Sequence, residues 1–445
     1  MFLNSAWVFA EELSIDLESI ESVETPSDPN LLAPADKEFL KAVRYISRDT
    51  RSISTNLPYT PYRAMPAYIT AKNGDRIIPI GLRPKHEGFV HEIVGVNMRD
   101  KSVIHFAKGA PPTSIATSTF CGYKDAGQDT SEKGIAGEAQ VTIKDAHQQV
   151  VWNFLVKRPS ASAGPNGSGI DIQNIFYRGK LVAAEMHVPI LNVKYDGDAC
   201  GPYRDWQYQE GMFKADGDDA APGIRFTKTR PQTIMESGSD EGNFRGVAIY
   251  TEGSETTVVS QMQAGWYRYA SRFRFYTDGT IIPDFGFSSV ENSCVCKVHH
   301  HHAYWRLDMG IDEANNNSVE VFDGQNWNPI TKEVKQFRNK DHRLWKIFNP
   351  TTKRAYILEP GKMDEPALDD PYAKGDVWVL HHSSGEIDDG MSNGSTEAGL
   401  DNYVNDESVS ATHVVLWYGA HFTHDSGHEG EIHSHYIGPT LRPAQ

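Results

Sequence analysis

The sequence predicts a mainly β protein in which a small α+β domain precedes a large antiparallel β-sandwich. The chain of 445 residues contains 37 glycines and 11% aromatic residues, and short runs of Val, Ile, Phe and Tyr alternate with turn dipeptides. These features favour strands joined by tight turns. Because a chain of this length exceeds what one hydrophobic core usually supports, more than one domain is expected.

The small α+β domain is expected at residues 31–112, after an N-terminal arm of residues 1–30. A helix is predicted after Asp36, which can cap its first turn, because apolar residues then recur at helical spacing. These residues are Phe39, Leu40, Val43 and Ile46. Short strand-like runs separated by turns follow between residues 67 and 97, and they predict a small meander that packs on the helix.

The β-sandwich is expected at residues 113–445. Adjacent prolines at 111 and 112 mark the linker, because proline cannot continue a sheet. Strand-like runs then follow at residues 150–156, 172–177, 181–188 and 267–276. Turns such as Thr277-Asp278-Gly279 separate them at hairpin spacing, which is typical of an antiparallel sandwich.

The charge of the chain limits its partners. A formal net charge of −16 disfavours a nucleic-acid or anionic-membrane partner. No run approaches the ~20 apolar residues that a membrane span needs. The N-terminus lacks the basic region of a signal peptide, so a cytoplasmic location is expected.

Four cysteines are too few for a disulfide scaffold of this size. Cys294 and Cys296 are interpreted as small, half-buried hydrophobic residues, with soft metal ligands as the alternative.

Four consecutive histidines, residues 299–302, stand directly ahead of an apolar and aromatic run. If this segment is a strand, His299 and His301 face one side and His300 and His302 the other, so either pair can bind a metal. A solvated histidine loop is the alternative. A third ligand is expected from the strand-like segment 417–424, which also carries histidines. Neutral imidazole binds copper, zinc, iron and nickel, so the pattern indicates a transition metal without selecting one.

The order of several motifs resembles that of the copper amine oxidases over roughly residues 30–445. These motifs are Tyr203-Arg204-Asp205, Tyr267 ahead of a Phe-Tyr-Thr-Asp-Gly-Thr-Ile hairpin, His299-x-His301 leading into Arg306-Leu307-Asp308, and His421 ahead of Leu441-Arg442-Pro443. Each motif is weak alone, and their order and spacing carry the resemblance. A one-residue slip would exchange the two histidine pairs of the run.

The resemblance implies a site, a cofactor and a reaction. His299, His301 and His421 would bind copper, Asp205 would be the catalytic base, and Tyr203 would be the gate beside it. Tyr267 would be oxidised by copper and O2 to topaquinone. The expected reaction converts a primary amine and O2 to an aldehyde and hydrogen peroxide, and a homodimer is expected because family members usually form one.

The chain departs from the family beside this tyrosine. Trp266 and Arg268 replace the asparagine and the acid that flank the tyrosine in the family motif Asn-Tyr-Asp/Glu-Tyr. An alternative function is therefore a copper-binding enzyme with unmodified Tyr267 that performs a different oxidation, or a non-redox step, on a small metabolite. A copper-binding protein without catalytic activity is the third hypothesis.

Overall fold

The computed structural model of the protein describes residues 14–15, 34–46, 58–63, 69–70, 74–84, 92–105, 121–129, 131–195, 200, 202–292, 294–338, 343–390, 397–424 and 435–444. The chain divides into two compact units, residues 1–118 with 428–434, and residues 119–427 with 435–445. The domain boundary predicted between residues 112 and 113 lies outside the described residues, as does most of the predicted N-terminal arm. In the described part of the chain, no helix is long and apolar enough to cross a membrane.

The described residues of the first unit form one helix and a six-stranded sheet. Its elements are β1 (Ser14–Ile15), α1 (Pro34–Ile46), β2 (Pro58–Arg63), β3 (Ile69–Thr70), β4 (Arg76–Pro84), β5 (Glu92–Asn97) and β6 (Val103–His105). The strands are ordered β1-β2-β4-β5-β6, and β3 pairs with β4. Pro34 occupies the first helical position, where the missing N–H has no intrahelical partner to lose. Asp36 therefore lies inside the first turn of the helix, not ahead of it as predicted.

The core of this unit is one apolar face of α1 packed on the sheet. The helix contributes Phe39, Leu40, Val43 and Ile46, and the sheet contributes Ile78, Ile80, Val94 and Val96. All eight side chains are buried. The helical spacing seen in the sequence is therefore the spacing of this buried face.

In the residues that the structure describes, the second unit consists of two large, mostly antiparallel sheets with one short α-helix. Its elements are β7 (Glu138–Lys144), β8 (Val150–Lys157), β9 (Asp171–Tyr177), β10 (Lys180–Tyr195), β11 (Tyr203–Arg204), β12 (Gly217–Ala221), β13 (Ile224–Thr227), α2 (Ile234–Ser237), β14 (Val247–Glu252), β15 (Glu255–Ala264), β16 (Tyr267–Tyr276), β17 (Ile281–Ser289), β18 (His299–Met309), β19 (Ser318–Phe322), β20 (Trp327–Ile330), β21 (Val334–Gln336), β22 (Leu344–Phe348), β23 (Ala355–Glu359), β24 (Val377–His381), β25 (Val414–His424), β26 (His435–Ile437) and β27 (Thr440–Ala444).

These strands form a nine-stranded and a twelve-stranded sheet. The first is ordered β21-β24-β25-β18-β10-β9-β8-β7, with β11 on β10, and the second is ordered β12-β13-β14-β15-β16-β17-β27-β23-β22-β19-β20, with β26 on β17. The sheets pack face to face: Phe154 stacks on Phe275 at 4.5 Å between ring centroids, and the Trp152 indole N–H donates to the Tyr276 carbonyl at 2.7 Å. The predicted mainly β fold with a large antiparallel sandwich is confirmed.

A hairpin between β16 and β17 occurs where the turn residues predict it. Tyr276 N and Thr280 O close the turn at 2.9 Å. Gly279 has φ +97°, a region that residues with a Cβ rarely adopt, and a Cβ there would also come within 3.0 Å of Pro443 and Tyr177 side-chain atoms. This hairpin sets the register of the strand that begins at Tyr267.

Strand β18 carries the histidine run and is buried along its whole length, from His299 to Met309. It lies between β10 and β25, in the middle of the nine-stranded sheet. A strand covered on both faces usually consists of apolar residues. Because buried polar side chains require partners, the charged and imidazole groups of this strand need specific contacts on both faces of the sheet.

Two disulfides join all four cysteines, Cys121–Cys296 and Cys200–Cys294. Cys294 and Cys296 lie in a turn that precedes β18, not in a strand. The interpretation of these two cysteines as unpaired hydrophobic residues or soft metal ligands is therefore wrong. The two cross-links tie this turn to segments far away in the sequence, immediately ahead of the first histidine of β18.

Candidate metal centre

The pleat of β18 divides the four histidines between two faces of the nine-stranded sheet. His299 and His301 face the twelve-stranded sheet, where the ring of Tyr267 lies 4.8 Å from that of His301. His300 and His302 face the opposite way. The neighbouring strand β25 supplies one histidine to each face, since His299 pairs with His424 and His302 pairs with His421.

His299, His301 and His424 form a buried cluster whose ligand atoms all lie within 4.8 Å of one another. His299 Nε2 and His424 Nδ1 are 3.0 Å apart. His299 Nδ1 lies 2.5 Å from the Lys297 carbonyl, which acts as the acceptor, so the proton is on Nδ1 and Nε2 is the nitrogen that can accept a hydrogen bond or bind a metal. Neither ring nitrogen of His301 has a hydrogen-bond partner among the described residues. Buried imidazole nitrogens without partners fit a metal ion.

Burial keeps this cluster in the form that binds metals. It lowers the pKa of His424 to about 3, with a smaller contribution from His435. Burial and the surrounding histidines also lower the pKa of His301 well below its ordinary value. Both rings are therefore neutral at physiological pH, which leaves a lone pair for coordination.

The structure places His424, and not the expected His421, beside His299 and His301. His421 lies on the opposite face of the sheet, with its Nδ1 3.0 Å from His302 Nδ1. Residues three apart in a strand point to opposite faces, and the register of β25 against β18 aligns His424 with His299. The expected pair, His299 and His301, does lie together.

Tyr267 lies at this cluster. Its side chain is only 2% exposed, and its hydroxyl donates a hydrogen bond to His299 Nε2. The ring stands at 82° to that of His301. On its other side, it stacks on Tyr269 with 5.2 Å between the centroids and 4° between the planes. The structure thus brings the expected cofactor tyrosine and two of the expected ligands into direct contact.

Asp205 is connected to Tyr267 through Tyr269. The Tyr269 hydroxyl donates a hydrogen bond to Asp205 Oδ2. The carboxylate is 7% exposed. Burial raises its pKa to about 7, and the hydrogen bond from Tyr269 opposes that rise. A carboxyl group with a pKa close to 7 can exchange a proton readily at neutral pH, as general base catalysis requires.

Tyr203, the expected gate residue, lies farther out and is 39% exposed. Its ring makes edge contacts with Trp266 at 5.9 Å and Tyr195 at 6.3 Å. Tyr195 in turn stacks on His299 at 4.7 Å, and the Trp266 indole N–H donates to its hydroxyl at 3.1 Å. Aromatic rings therefore connect the exposed Tyr203 with the buried histidine cluster.

Solved structures that are similar to this chain include amine oxidases. A copper-containing benzylamine oxidase from Hansenula polymorpha is 14% identical, with a TM-score of 0.46, over 87% of this chain and 77% of that one. A Pichia pastoris lysyl oxidase is 11% identical, with a TM-score of 0.43, over 87% and 69%. An Aspergillus nidulans amine oxidase is 13% identical, with a TM-score of 0.44, over 87% and 68%. No protein-family model and no curated protein matches the chain.

Arg268, the residue after Tyr267, does not direct its charged side chain toward the Tyr267 ring. Arg268 is fully buried on the other face of β16, where its Nε and Nη2 lie 2.6 and 3.0 Å from the two carboxylate oxygens of Asp240. Adjacent residues of a strand face opposite ways, so the guanidinium points away from the Tyr267 ring. Trp266, the residue before Tyr267, contacts the site through Tyr195.

Three residues of this site were not predicted from the sequence: His424, Tyr195 and Tyr269. A pattern signal was available for Tyr269, because it stands two positions after Tyr267 in a strand and must share its face. Tyr195 and His424 are aligned with His299 only by the pairing of β10 and β25 with β18. No sequence motif indicates that register.

Three other groups of described side chains place potential ligand atoms within 4.8 Å of one another: His302 with Asp370 and His421, Asp308 with His382 and His413, and Asp171 with Glu185 and His187. Arg306 lies close to two of them, with its Nη1 3.0 Å from Glu185 Oε2 and 3.5 Å from Asp308 Oδ2. In those two groups the guanidinium already compensates the carboxylate charge.

Proposed function

We propose that the protein is a copper-dependent amine oxidase. The overall reaction converts a primary amine, O2 and water to an aldehyde, ammonia and hydrogen peroxide. The single observation that carries the proposal is the position of the Tyr267 hydroxyl at the cluster of His299, His301 and His424. Tyr267 is thereby in the position from which a metal-dependent oxidation can convert it to a cofactor.

Copper would be held by His299 Nε2, His424 Nδ1 and a ring nitrogen of His301. The fit rests on the 3.0 Å separation of the first two atoms and on the two unpartnered nitrogens of the third ring. Three imidazoles suit copper as well as zinc, and oxidation of a phenol requires the redox-active one of the two. Bound copper would supply the redox chemistry with O2 that converts Tyr267 to topaquinone and reoxidises the cofactor.

Asp205 acts as the base in this proposal. Its carboxylate takes a proton from the substrate carbon next to the amine nitrogen and holds it on a carboxylate oxygen. The Tyr269 hydroxyl donates to Oδ2 and fixes the orientation of the group. Because burial brings the pKa of Asp205 to about 7, the carboxylate is a stronger base than an exposed one and is still largely ionised just above neutral pH.

Tyr203 and Trp266 would control access to the site. Tyr203 is the exposed member of the group and Trp266 is its edge-on neighbour at 5.9 Å. Aromatic faces attract ammonium groups, and the net charge of −16 favours the approach of cationic amines. We therefore propose a small primary amine as the substrate.

The homodimer and the cytoplasmic location stay predictions from the sequence. The two disulfides favour an oxidising compartment instead, because cytosolic proteins keep their thiols reduced. Purification from each cell fraction, followed by thiol titration of the denatured chain, separates the two locations.

The experiment that tests the function starts from metal-free protein. Copper and air are added, and the visible spectrum, the reaction with phenylhydrazine and the release of hydrogen peroxide with a panel of primary amines are followed. We expect a quinone absorption band in the wild type and none in Tyr267→Phe. A copper-loaded wild type that stays colourless, with an unmodified peptide around Tyr267, would support the alternative enzyme with an unmodified tyrosine.

A further inference from the structure

The face of β18 and β25 that points away from Tyr267 carries a second buried set of ligand-type side chains. His302 and His421 are directly opposite each other in the two strands. Asp370, which ends the short 3-10 helix Ala367–Asp369, closes over them. His302 and His421 are fully buried, and Asp370 is 3% exposed. The set shares its strands, but no side chain, with the cluster at Tyr267.

Three atoms converge within this set. His302 Nδ1 lies 3.0 Å from His421 Nδ1 and 3.6 Å from Asp370 Oδ2. These separations are close to those between neighbouring ligands of a tetrahedral ion with bonds of roughly 2.0–2.2 Å. A hydrogen bond between the imidazoles would explain the first distance but not the position of the carboxylate.

The protonation pattern leaves these three atoms facing one another. His421 Nε2 lies 3.0 Å from the Gly375 carbonyl, which can only accept, so this nitrogen carries the proton and Nδ1 has a free lone pair. Asp370 Oδ1 accepts the Tyr372 amide hydrogen at 2.8 Å. Asp370 Oδ2 and His302 Nε2 have no hydrogen-bond partner among the described residues.

Such an arrangement is costly without a cation. Besides His302 Nδ1, the imidazole of His300 faces Asp370 Oδ2, with its Nδ1 at 3.5 Å, and the same nitrogen lies 3.2 Å from Thr423 Oγ1. One long contact to a shared imidazole offsets only part of the hydration that a buried, ionised carboxylate oxygen loses. The guanidinium of Arg338 pairs with Asp376 at 3.1 Å. Nor does a hydrogen bond between the two imidazoles place any donor on Asp370 Oδ2. A divalent cation would satisfy the carboxylate and both Nδ1 atoms at once.

We propose that His302, His421 and Asp370 form a second metal site, specific for a zinc-like divalent ion. Two imidazoles and one carboxylate are common zinc ligands, whereas a carboxylate is a poor partner for cuprous ion. The three buried side chains would fill three positions of a tetrahedral ion, a water molecule would fill the fourth, and the site would have a structural role. It would fix the segment around Asp370 to the two strands that also present the ligands of the Tyr267 cluster.

The test measures zinc in the full-length protein after removal of all metal, reloading with zinc and gel filtration. Asp370→Asn keeps the size and the Oδ1 acceptor but loses the charge, and His421→Asn keeps an acceptor near Nδ1. We expect each to bind one zinc equivalent less than the wild type. His301→Gln removes a ligand of the Tyr267 cluster and should keep the zinc equivalent that these two variants lose. The surface variant His147→Gln should bind as much zinc as the wild type. Unchanged zinc content in Asp370→Asn and His421→Asn would overturn the proposal.

A second measurement does not depend on how these variants fold. Cobalt is added to metal-free His301→Gln, in which the Tyr267 cluster lacks a ligand. We expect the strong visible absorption of four-coordinate Co(II) with nitrogen and oxygen ligands, and competition by zinc at one equivalent. A spectrum like that of aqueous cobalt would contradict the second site. Amine oxidation is not part of either readout, so the two proposals fail independently.

Discussion

The Tyr267 hydroxyl donates its hydrogen bond to His299 Nε2, the same ring nitrogen that lies 3.0 Å from His424 Nδ1. One atom therefore faces both a phenol and a second imidazole. An imidazole nitrogen has one lone pair, so a metal ion at His299 Nε2 must displace the phenol proton and come next to the phenol oxygen. Metal binding and the chemistry of Tyr267 are thus linked through a single nitrogen atom.

The identity of the third ligand can be tested with two histidines of the same strand. His424→Ala removes one of three nitrogen ligands, and we expect copper affinity to fall by at least about 100-fold, more than is typical for loss of an outer-shell partner. His421→Ala is the matched control and keeps the affinity of the Tyr267 cluster. Chelator competition and the EPR spectrum of Cu(II) at one equivalent per chain measure this. If His421→Ala lowered the copper affinity more than His424→Ala, His421 would be the third ligand instead.

The pH dependence of the reaction tests Asp205. The base must be ionised, and burial raises its pKa to about 7. Therefore kcat/KM for an amine should fall tenfold per pH unit below that value and level off above it. Asp205→Asn should lower kcat/KM by roughly 10²- to 10⁴-fold and remove this step from the profile. The Asp205→Asn variant should still react with phenylhydrazine. Asp205 does not contact the histidine cluster directly, so copper binding and quinone formation at Tyr267 should be kept. A wild-type profile without a step between pH 6 and 8 would argue against Asp205 as the base.

Tyr269→Phe separates the hydroxyl of this residue from its ring. The hydrogen bond from Tyr269 lowers the pKa of Asp205 against the effect of burial. Without it, the pKa rises further, and the alkaline plateau of kcat/KM should begin at a higher pH. Stacking on Tyr267 is kept, so quinone formation should be retained. An unshifted profile would mean that this hydroxyl does not act on Asp205.

Variants of Arg268 test whether this residue beside Tyr267 has a structural role. The Arg268–Asp240 pair is fully buried, and its removal from one side leaves an uncompensated charge. Arg268→Met should lower the free energy of unfolding by about 3–5 kcal/mol, and Arg268→Met with Asp240→Leu should recover most of the loss. Denaturant unfolding measures both. If the double variant were as unstable as the single one, the ion pair with Asp240 would not explain why an arginine stands at position 268.

The sequence predicted those features that depend on local pattern. Alternation along one strand separates His299 and His301 from His300 and His302 wherever the strand lies, and the Thr277-Asp278-Gly279 turn determines its hairpin. The ligand from β25 depends on which of its residues pairs with His299, and a shift of one position exchanges His421 and His424 between faces. The pairing of Cys200 with Cys294 depends on tertiary structure in the same way. Local pattern therefore predicts the β-sandwich and the facing of the two histidine pairs, and the family resemblance adds Tyr267 beside His299, but neither predicts the residues aligned by strand register.

The burial of the histidine run has a practical consequence for purification. Residues 299–302 are 0%, 8%, 0% and 0% exposed, so the folded chain offers almost none of these four rings to an immobilised nickel resin. Denatured copies present four adjacent imidazoles. If the untagged protein is passed over nickel resin without denaturant, the resin should therefore retain misfolded material. The flow-through should be enriched in native protein.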